Sequence, residues 1–228
     1  AVMGSHRSLG RRHVSILDDH DHVFGAKLRF SSEAVSGHQV AAGVIVQLFT
    51  LGIPCIYYGT EQALAGPETS ERIWLPDWGR SDRYLREAMF GPAHPRKHGR
   101  DGLASHPDDL DTSLPGFGPF GTAGRHCFDE ANPVYLRVAA ACKARKRYPV
   151  LRCGRQYLRP IAELGTENFR DAGAGELAAW SRILDDEEAL CVVNSNGREE
   201  RSVCVMVDAV LNPPDSAILA VGAVRKVP

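Results

Sequence analysis

Apolar positions along this chain form two strand-length runs separated by a helical stretch, and further on they break into brief runs bounded by turns. Residues 13–17 read as a strand that ends abruptly in Asp18, Asp19, His20, Asp21 and His22. Ser31 and Ser32 then offer helix N-caps, and Glu33 suits the positive end of the helix dipole. Val40, Val44, Leu48 and Leu51 recur at helical spacing, while Ala41, Ile45 and Phe49 make a second apolar face. The pattern predicts a helix covered on most sides, stopped by Gly52 with Pro54 just beyond. Residues 53–58 are continuously apolar, which predicts a strand buried on both faces in a parallel sheet. A right-handed crossover between the two strands brings the acidic tip of the first to the same side as Gly59, Thr60, Glu61 and Gln62 at the tip of the second.

Residues 66–130 are rich in Gly, Pro, His and Asp, relieved by a short helix expected over 82–90, so that a long loop lies at about 91–131. Asn132 and Pro133 supply an N-cap and a first-turn proline, and Lys143, Arg145, Lys146 and Arg147 gather where cations complement the helix dipole. Pro149 is expected to stop this helix. Short runs follow at 156–161, 177–184, 189–194, 202–207 and 218–221, with hairpin turns expected at 185–188 and at Asn196–Gly197. An antiparallel β domain is the reading for 151–228, after an α/β portion over 1–150.

Composition narrows the function classes. With 27 basic and 28 acidic residues in 228, the formal net charge of −1 gives no electrostatic reason to expect nucleic acid or an anionic membrane as partner; a neutral ligand suits it better. No run approaches the roughly 18 apolar residues of a membrane span, and no signal-peptide core is visible, so a soluble protein of open compartment is expected. The six cysteines form no CxxC pair, which favours buried thiols over zinc. Cys191 and Cys204 fall on strands expected to be neighbours, where a disulfide would be feasible.

Three segments carry a resemblance. Ile16-Leu17-Asp18-Asp19-His20-Asp21 resembles the last conserved barrel motif of the alpha-amylase family of glycoside hydrolases, an apolar pair followed by Asp-Asn-His-Asp. The run from Leu51 through Gly52, Ile53, Pro54, Cys55, Ile56, Tyr57, Tyr58, Gly59, Thr60 and Glu61 to Gln62 is similar to that family's eighth strand and its exit. Residues 132–161 are similar to the final barrel helix entering the closing β domain. The resemblance implies an incomplete (β/α) barrel remnant, its last two βα units, followed by an antiparallel, β-sandwich-like C-terminal domain. It further implies retaining hydrolysis of α-glucosidic bonds in starch or maltooligosaccharides, by a carboxylate nucleophile and a protonated carboxyl. Asp21 matches the family's third carboxylate, which binds sugar hydroxyls and helps distort the ring, and His20 matches the histidine that hydrogen-bonds the sugar there. Asp19 stands where the family carries Asn. If the segment stays extended, Asp19 and Asp21 share a face and their titrations couple.

The family's nucleophile and acid lie on its fourth and fifth strands, and neither segment occurs in this sequence. A closed barrel typically takes about 250 residues, whereas roughly 150 precede the β domain here. The chain alone is therefore expected to be inactive, with no cofactor and no metal, and to self-associate or to be complemented by the absent barrel segment. Two other readings stay open: a non-catalytic carbohydrate-binding or assembly module, and a reduced enzyme using Asp19, Asp21 and Glu61. Glu61 reads equally as a subsite residue or a loop acid. Trp74 and Trp78 suit either a sugar-stacking platform or loop packing. His94, His98, His106 and His126 are too irregularly spaced to favour metal ligation.

Overall fold

The structure, a computed structural model, describes residues 10, 12–21, 29–64, 129–196 and 198–214. The expected helix at 82–90, the loop as far as residue 128, Trp74, Trp78, the four loop histidines and the expected strand at 218–221 lie outside these. The chain divides into two compact units, one of residues 14–48 and 53–140, the other of residues 1–13, 49–52 and 141–228.

In the first unit, β1 (Val14–Ile16) pairs in parallel with β2 (Ile53–Cys55), setting Val14 opposite Ile53, Ser15 opposite Pro54 and Ile16 opposite Cys55. Both strands are shorter than their apolar runs. Pro54 sits in the middle of β2 and has no N–H to offer a ladder, which restricts how far pairing extends. Burial on both faces is not found: Val14, Ile16 and Ile53 are 49%, 56% and 44% exposed, while Ser15 and Pro54 between them are half-buried. The period of two is that of a sheet covered on one face only. Gln47, buried on the helix between the strands, joins them by donating to the carbonyls of Ser15 (2.6 Å) and Cys55 (2.8 Å).

The single helix expected after Ser31 and Ser32 is two. Helix α1 (Phe30–Glu33) is one turn, and Ala34 then turns extended at ψ 139° before α2 (Gly37–Phe49) begins. Ser31 lies inside α1, so the capping role passes to Ser36: its Oγ accepts from the Gln39 amide at 3.2 Å, while the Gln39 side chain accepts from the Val35 amide at 2.7 Å. This reciprocal pairing approximates a capping box. The buried residues of α2 are Val40, Ala41, Val44, Gln47 and Leu48; Val40, Val44 and Leu48 are where the periodicity predicts, whereas Ile45 and Phe49 of the expected second face are half-buried and Leu51 lies beyond the helix. Gly43 lets α2 pack closely, since a Cβ there would stand 2.6 Å from the Phe30 ring.

Helix α3 (Pro133–Arg147) starts as expected, with Asn132 Oδ1 accepting from the Val134 amide at 2.8 Å. Pro149 does not merely stop it but opens a further short helix, α4 (Pro149–Cys153), at a position where its missing N–H costs nothing.

The second unit holds antiparallel β3 (Arg155–Leu158), β5 (Leu177–Leu184) and β6 (Glu187–Asn194) in the order β3-β5-β6, and a separate antiparallel pair of β4 (Ile161–Glu163) with β7 (Val203–Val205). The run at 156–161 is thus divided between two sheets at Arg159 and Pro160. The hairpin β5–β6 turns at Asp185 and Asp186, with Asp185 at φ 53°, so β6 starts before the expected Ala189. No β6–β7 hairpin forms at Asn196, because β7 pairs with β4 instead. Cys191 and Cys204 accordingly lie in different sheets and are free; burial pushes the Cys191 thiol up to about 11. These sheets are open, and no closed barrel is present among the described residues.

Two buried polar centres hold this unit. Arg182, wholly buried, donates to the carbonyls of Phe49 (2.9 Å), Gly154 (2.9 Å) and Arg152 (3.4 Å), so it gathers three backbone carbonyls of this unit. Burial first, and Arg145 second, pull its pKa down to about 10. Glu188 accepts from Arg159 (2.6 Å), Ser181, Asn212 and the Asp208 amide (3.0 Å), which ties the segment after β7 to the hairpin.

Candidate functional site

Beyond β1 the chain turns at once, and the acids that follow take different places. Asp18 points inward and is 2% exposed. Its Oδ1 accepts from the Phe30 amide at 2.7 Å and its Oδ2 from the Thr60 hydroxyl at 2.9 Å. One carboxylate therefore joins the tip of β1 to α1 and to the 3-10 turn Thr60–Gln62 that follows β2. Asp19, half-buried, accepts from the Asp21 amide at 2.8 Å, an Asx-type turn. The segment is consequently not extended, and the shared strand face expected for Asp19 and Asp21 is replaced by this turn. Asp21 itself has 65% of its side chain exposed, with Oδ1 3.3 Å from His20 Nε2.

The other nitrogen of His20 is 2.9 Å from the Tyr57 hydroxyl, with the rings tilted at a centroid distance of 5.4 Å. Tyr57 and Tyr58 lie at the exit of β2, 4.6 Å apart. Arg29 is wholly buried against them: its Cζ is 4.7 Å from the Tyr57 centroid and 4.9 Å from that of Tyr58, and Nη1 donates to the Tyr58 carbonyl at 2.7 Å. Burial lowers the Arg29 pKa despite the attraction of Tyr58, Asp18, Tyr57 and Glu61. Burial, assisted by a hydrogen bond to Tyr57, pushes the Tyr58 phenol up to about 12. Gly59 makes the approach feasible: at φ 86° it stands where a Cβ would lie 2.6 Å from Leu64 and 3.3 Å from Arg29 Nη1.

Glu61 is half-buried in the 3-10 turn, and burial raises its pKa, opposed by the amides of Glu61 and Gly59 and by Arg29. Gln62 is fully buried and exchanges two hydrogen bonds with the Asp129 backbone, at 3.0 and 3.2 Å, while its carbonyl accepts from Asn132 at 3.3 Å.

The two strand tips singled out in the sequence are thus brought together, through Asp18 with Thr60 and His20 with Tyr57. Sequence reasoning missed Asp18, Arg29 and Tyr57 as the groups that organise the tip. Asp18 and Tyr57 had a signal, since both stand in the quoted motif segments; Arg29 had none. Among the described residues no group of three His, Cys, Asp or Glu side chains is arranged to hold a metal, and no helix is long and apolar enough to cross a membrane. Chemically, the tip offers an exposed carboxylate beside an imidazole, which together can receive and donate hydrogen bonds to one hydroxyl-bearing ligand.

Comparison with protein-family profiles gives no match, and neither does comparison with curated proteins. Solved structures do match. One is a trehalulose synthase variant in complex with Tris, at TM-score 0.43 and 16% identity over 79% of this chain and 34% of that one. Others are the isomaltulose synthase from Erwinia rhapontici NX5, at TM-score 0.39 and 18% identity, and a variant of it in complex with D-glucose, at 0.41 and 17%, each with the same coverage. This chain spans about a third of the length of these trehalulose and isomaltulose synthase structures.

Proposed function

We propose that the chain is a portion of an alpha-amylase-type glycoside hydrolase acting on α-glucosidic bonds of starch or maltooligosaccharides, contributing sugar-binding groups rather than a complete catalytic set. On this reading β1, α2 and β2 belong to the last two strand–helix units of a barrel, and the antiparallel sheets to a sandwich-like closing domain. Asp21 is the sugar-binding carboxylate, His20 its hydrogen-bonding neighbour, and Asp19 and Glu61 flank them. The observation that carries it is the juxtaposition of the two motif tips on adjacent parallel strands, joined by the Asp18–Thr60 and His20–Tyr57 hydrogen bonds. Ligands of open parallel sheets sit at the carboxyl ends of the strands, and both motifs lie there.

Retaining hydrolysis needs a nucleophile and a proton donor flanking the bond. Asp21 supplies neither; hydrogen bonds from sugar hydroxyls to its carboxylate help hold a distorted ring and strengthen toward the transition state. Titration of the chain with maltotriose, followed by amide and imidazole resonances, is expected to move the signals of His20 and Asp21, and Asp21→Asn to abolish the movement. No response at millimolar sugar would sink the assignment. With a polypeptide supplying the earlier barrel strands, Asp21→Asn is expected to lower kcat/KM by more than about tenfold.

A reduced enzyme built on Asp19, Asp21 and Glu61 is the second reading, favoured by one observation: burial raises the Glu61 pKa, as suits a carboxyl that is to donate a proton. Turnover of maltooligosaccharides by the chain alone, lost in Glu61→Gln and in Asp21→Asn, would select it; absence of turnover leaves the first.

A further inference from the structure

Resting on the reading of His20 and Asp21 as the ligand-facing pair, the geometry points to Tyr57 as the positioning residue that fixes the His20 ring and decides which of its nitrogens carries the proton. His20 Nε2 lies 3.3 Å from Asp21 Oδ1 as an ion-pair contact, and a ring lone pair held that close to a carboxylate oxygen would be repelled by it. Nε2 is therefore the nitrogen on which the hydrogen is favoured. A neutral imidazole has one N–H, so Nδ1 is left as an acceptor. Its partner at 2.9 Å is the Tyr57 hydroxyl, which must donate. The roles follow from the carboxylate at the end of the row: Tyr57 O–H donates to His20 Nδ1, and Nε2–H faces Asp21 across the ion-pair contact.

Tyr57 is itself held. The buried Arg29 guanidinium lies 4.7 Å from its ring centroid, and the Tyr58 ring lies 4.6 Å away. The guanidinium is fixed in turn on the Tyr58 carbonyl at 2.7 Å. His20 comes from the β1 exit, in an irregular segment that would leave a half-exposed ring free to rotate, whereas Tyr57 comes from the exit of β2. A ring flip of His20 would bring a carbon to the Tyr57 hydroxyl and forfeit the bond. Tyr57 thus keeps an N–H donor beside the Asp21 acceptor before any ligand arrives, and this preorganisation lowers the ordering cost of binding.

The test is nitrogen NMR of the imidazole in the full chain, read at about pH 8.5, well above the ordinary histidine midpoint near 6.5. The His20 signals are assigned by their loss in His20→Gln. The expected result is a protonated Nε2 and an unprotonated Nδ1 whose resonance is shifted from that of a free lone pair by the hydrogen bond. Tyr57→Phe, with the amide spectrum elsewhere unchanged, is expected to move Nδ1 to the free-lone-pair position and to broaden the ring signals as rotation is released. A protonated Nδ1 in the parent, or an Nδ1 shift unmoved in Tyr57→Phe, would overturn the proposal. If Tyr57→Phe does not fold, the chain grown with 3-fluorotyrosine decides: a more acidic phenol donates more strongly, so Nδ1 moves further from the free-lone-pair position, and no movement would overturn the assignment. This readout needs no sugar. Failure of maltotriose to bind with the tautomer as expected removes the functional reading alone, and the reverse result removes the role of Tyr57 alone.

Discussion

Replacing Asp18 by Ala would leave the Phe30 amide and the Thr60 hydroxyl without their acceptor in a place that is 2% exposed. Each stranded buried group costs roughly 1–3 kcal/mol, so Asp18→Ala is expected to lose about 2–4 kcal/mol in urea unfolding, and Thr60→Val, which strands only one lone pair of a carboxylate, about 1 kcal/mol. Equal midpoints for parent and Asp18→Ala would show that the carboxylate does not join the tips. The sequence displays Asp18, Asp19 and Asp21 as one acidic burst. Strand alternation could have sorted them only if the strand continued, and β1 ends at Ile16. Which acid turns inward depends on Thr60 and Phe30, partners that are distant in sequence. Glu61 makes a prediction of opposite sign. Burial raises its folded pKa above 4.5, so over that interval the folded chain binds more protons than the unfolded one, and stability falls as pH rises. Glu61→Gln is expected to remove this slope, becoming more stable than the parent as pH is raised from about 4 to 7. A parent that gains on the variant over that range would mean that Arg29 outweighs burial.

At the scale of elements, periodicity was most legible where one face was buried over several turns. The stripe Val40, Ala41, Val44 and Leu48 and the Asn132 cap of α3 are both written in the chain. The start of α2 was harder, because Ser31, Ser32 and Ser36 all satisfy the local rule for a cap. Only Ser36 has a glutamine three residues on, and the reciprocal bonds with Gln39 settle the boundary. The contrast is measurable. Ser36→Ala is expected to cost about 1 kcal/mol, as loss of an N-cap does. Ser31→Ala is expected to be neutral or slightly stabilising, because its buried hydroxyl has no hydrogen-bond partner among the described residues. A larger loss at Ser31 than at Ser36 would restore the single long helix. The division of residues 155–163 between two sheets was not legible, since Tyr157, Leu158 and Ile161 fit one strand by composition. Pro160 was the available signal: it carries no N–H for a ladder, although its carbonyl accepts from the Met206 amide at 3.1 Å.

For the whole molecule, the two units differ in how much of their strand structure is satisfied. In the second unit β5 and β6 are paired over eight positions from Leu177 with Asn194 to Leu184 with Glu187, and β5 is also paired to β3. In the first, β1 and β2 share three paired positions and present Val14, Ile16 and Ile53 outward. A continuous apolar run reads as buried on both faces because nothing in it reports how many strands will flank it, and this is where the sequence misled. An exposed apolar sheet face on a pair of strands that has no further strand partner among the described residues is an association hazard. The chain is therefore expected to form concentration-dependent oligomers by light scattering, weakened in Ile16→Lys, whose charge would sit in the middle of the apolar face. Hydrogen exchange on the same sample is expected to be slow across Leu177–Leu184 and Glu187–Asn194 and fast across Val14–Ile16 at low concentration, the latter slowing as oligomers form. A monomer at every concentration, with exchange at Val14–Ile16 as slow as in the β5–β6 hairpin, would mean that the outward face is already protected within a single chain.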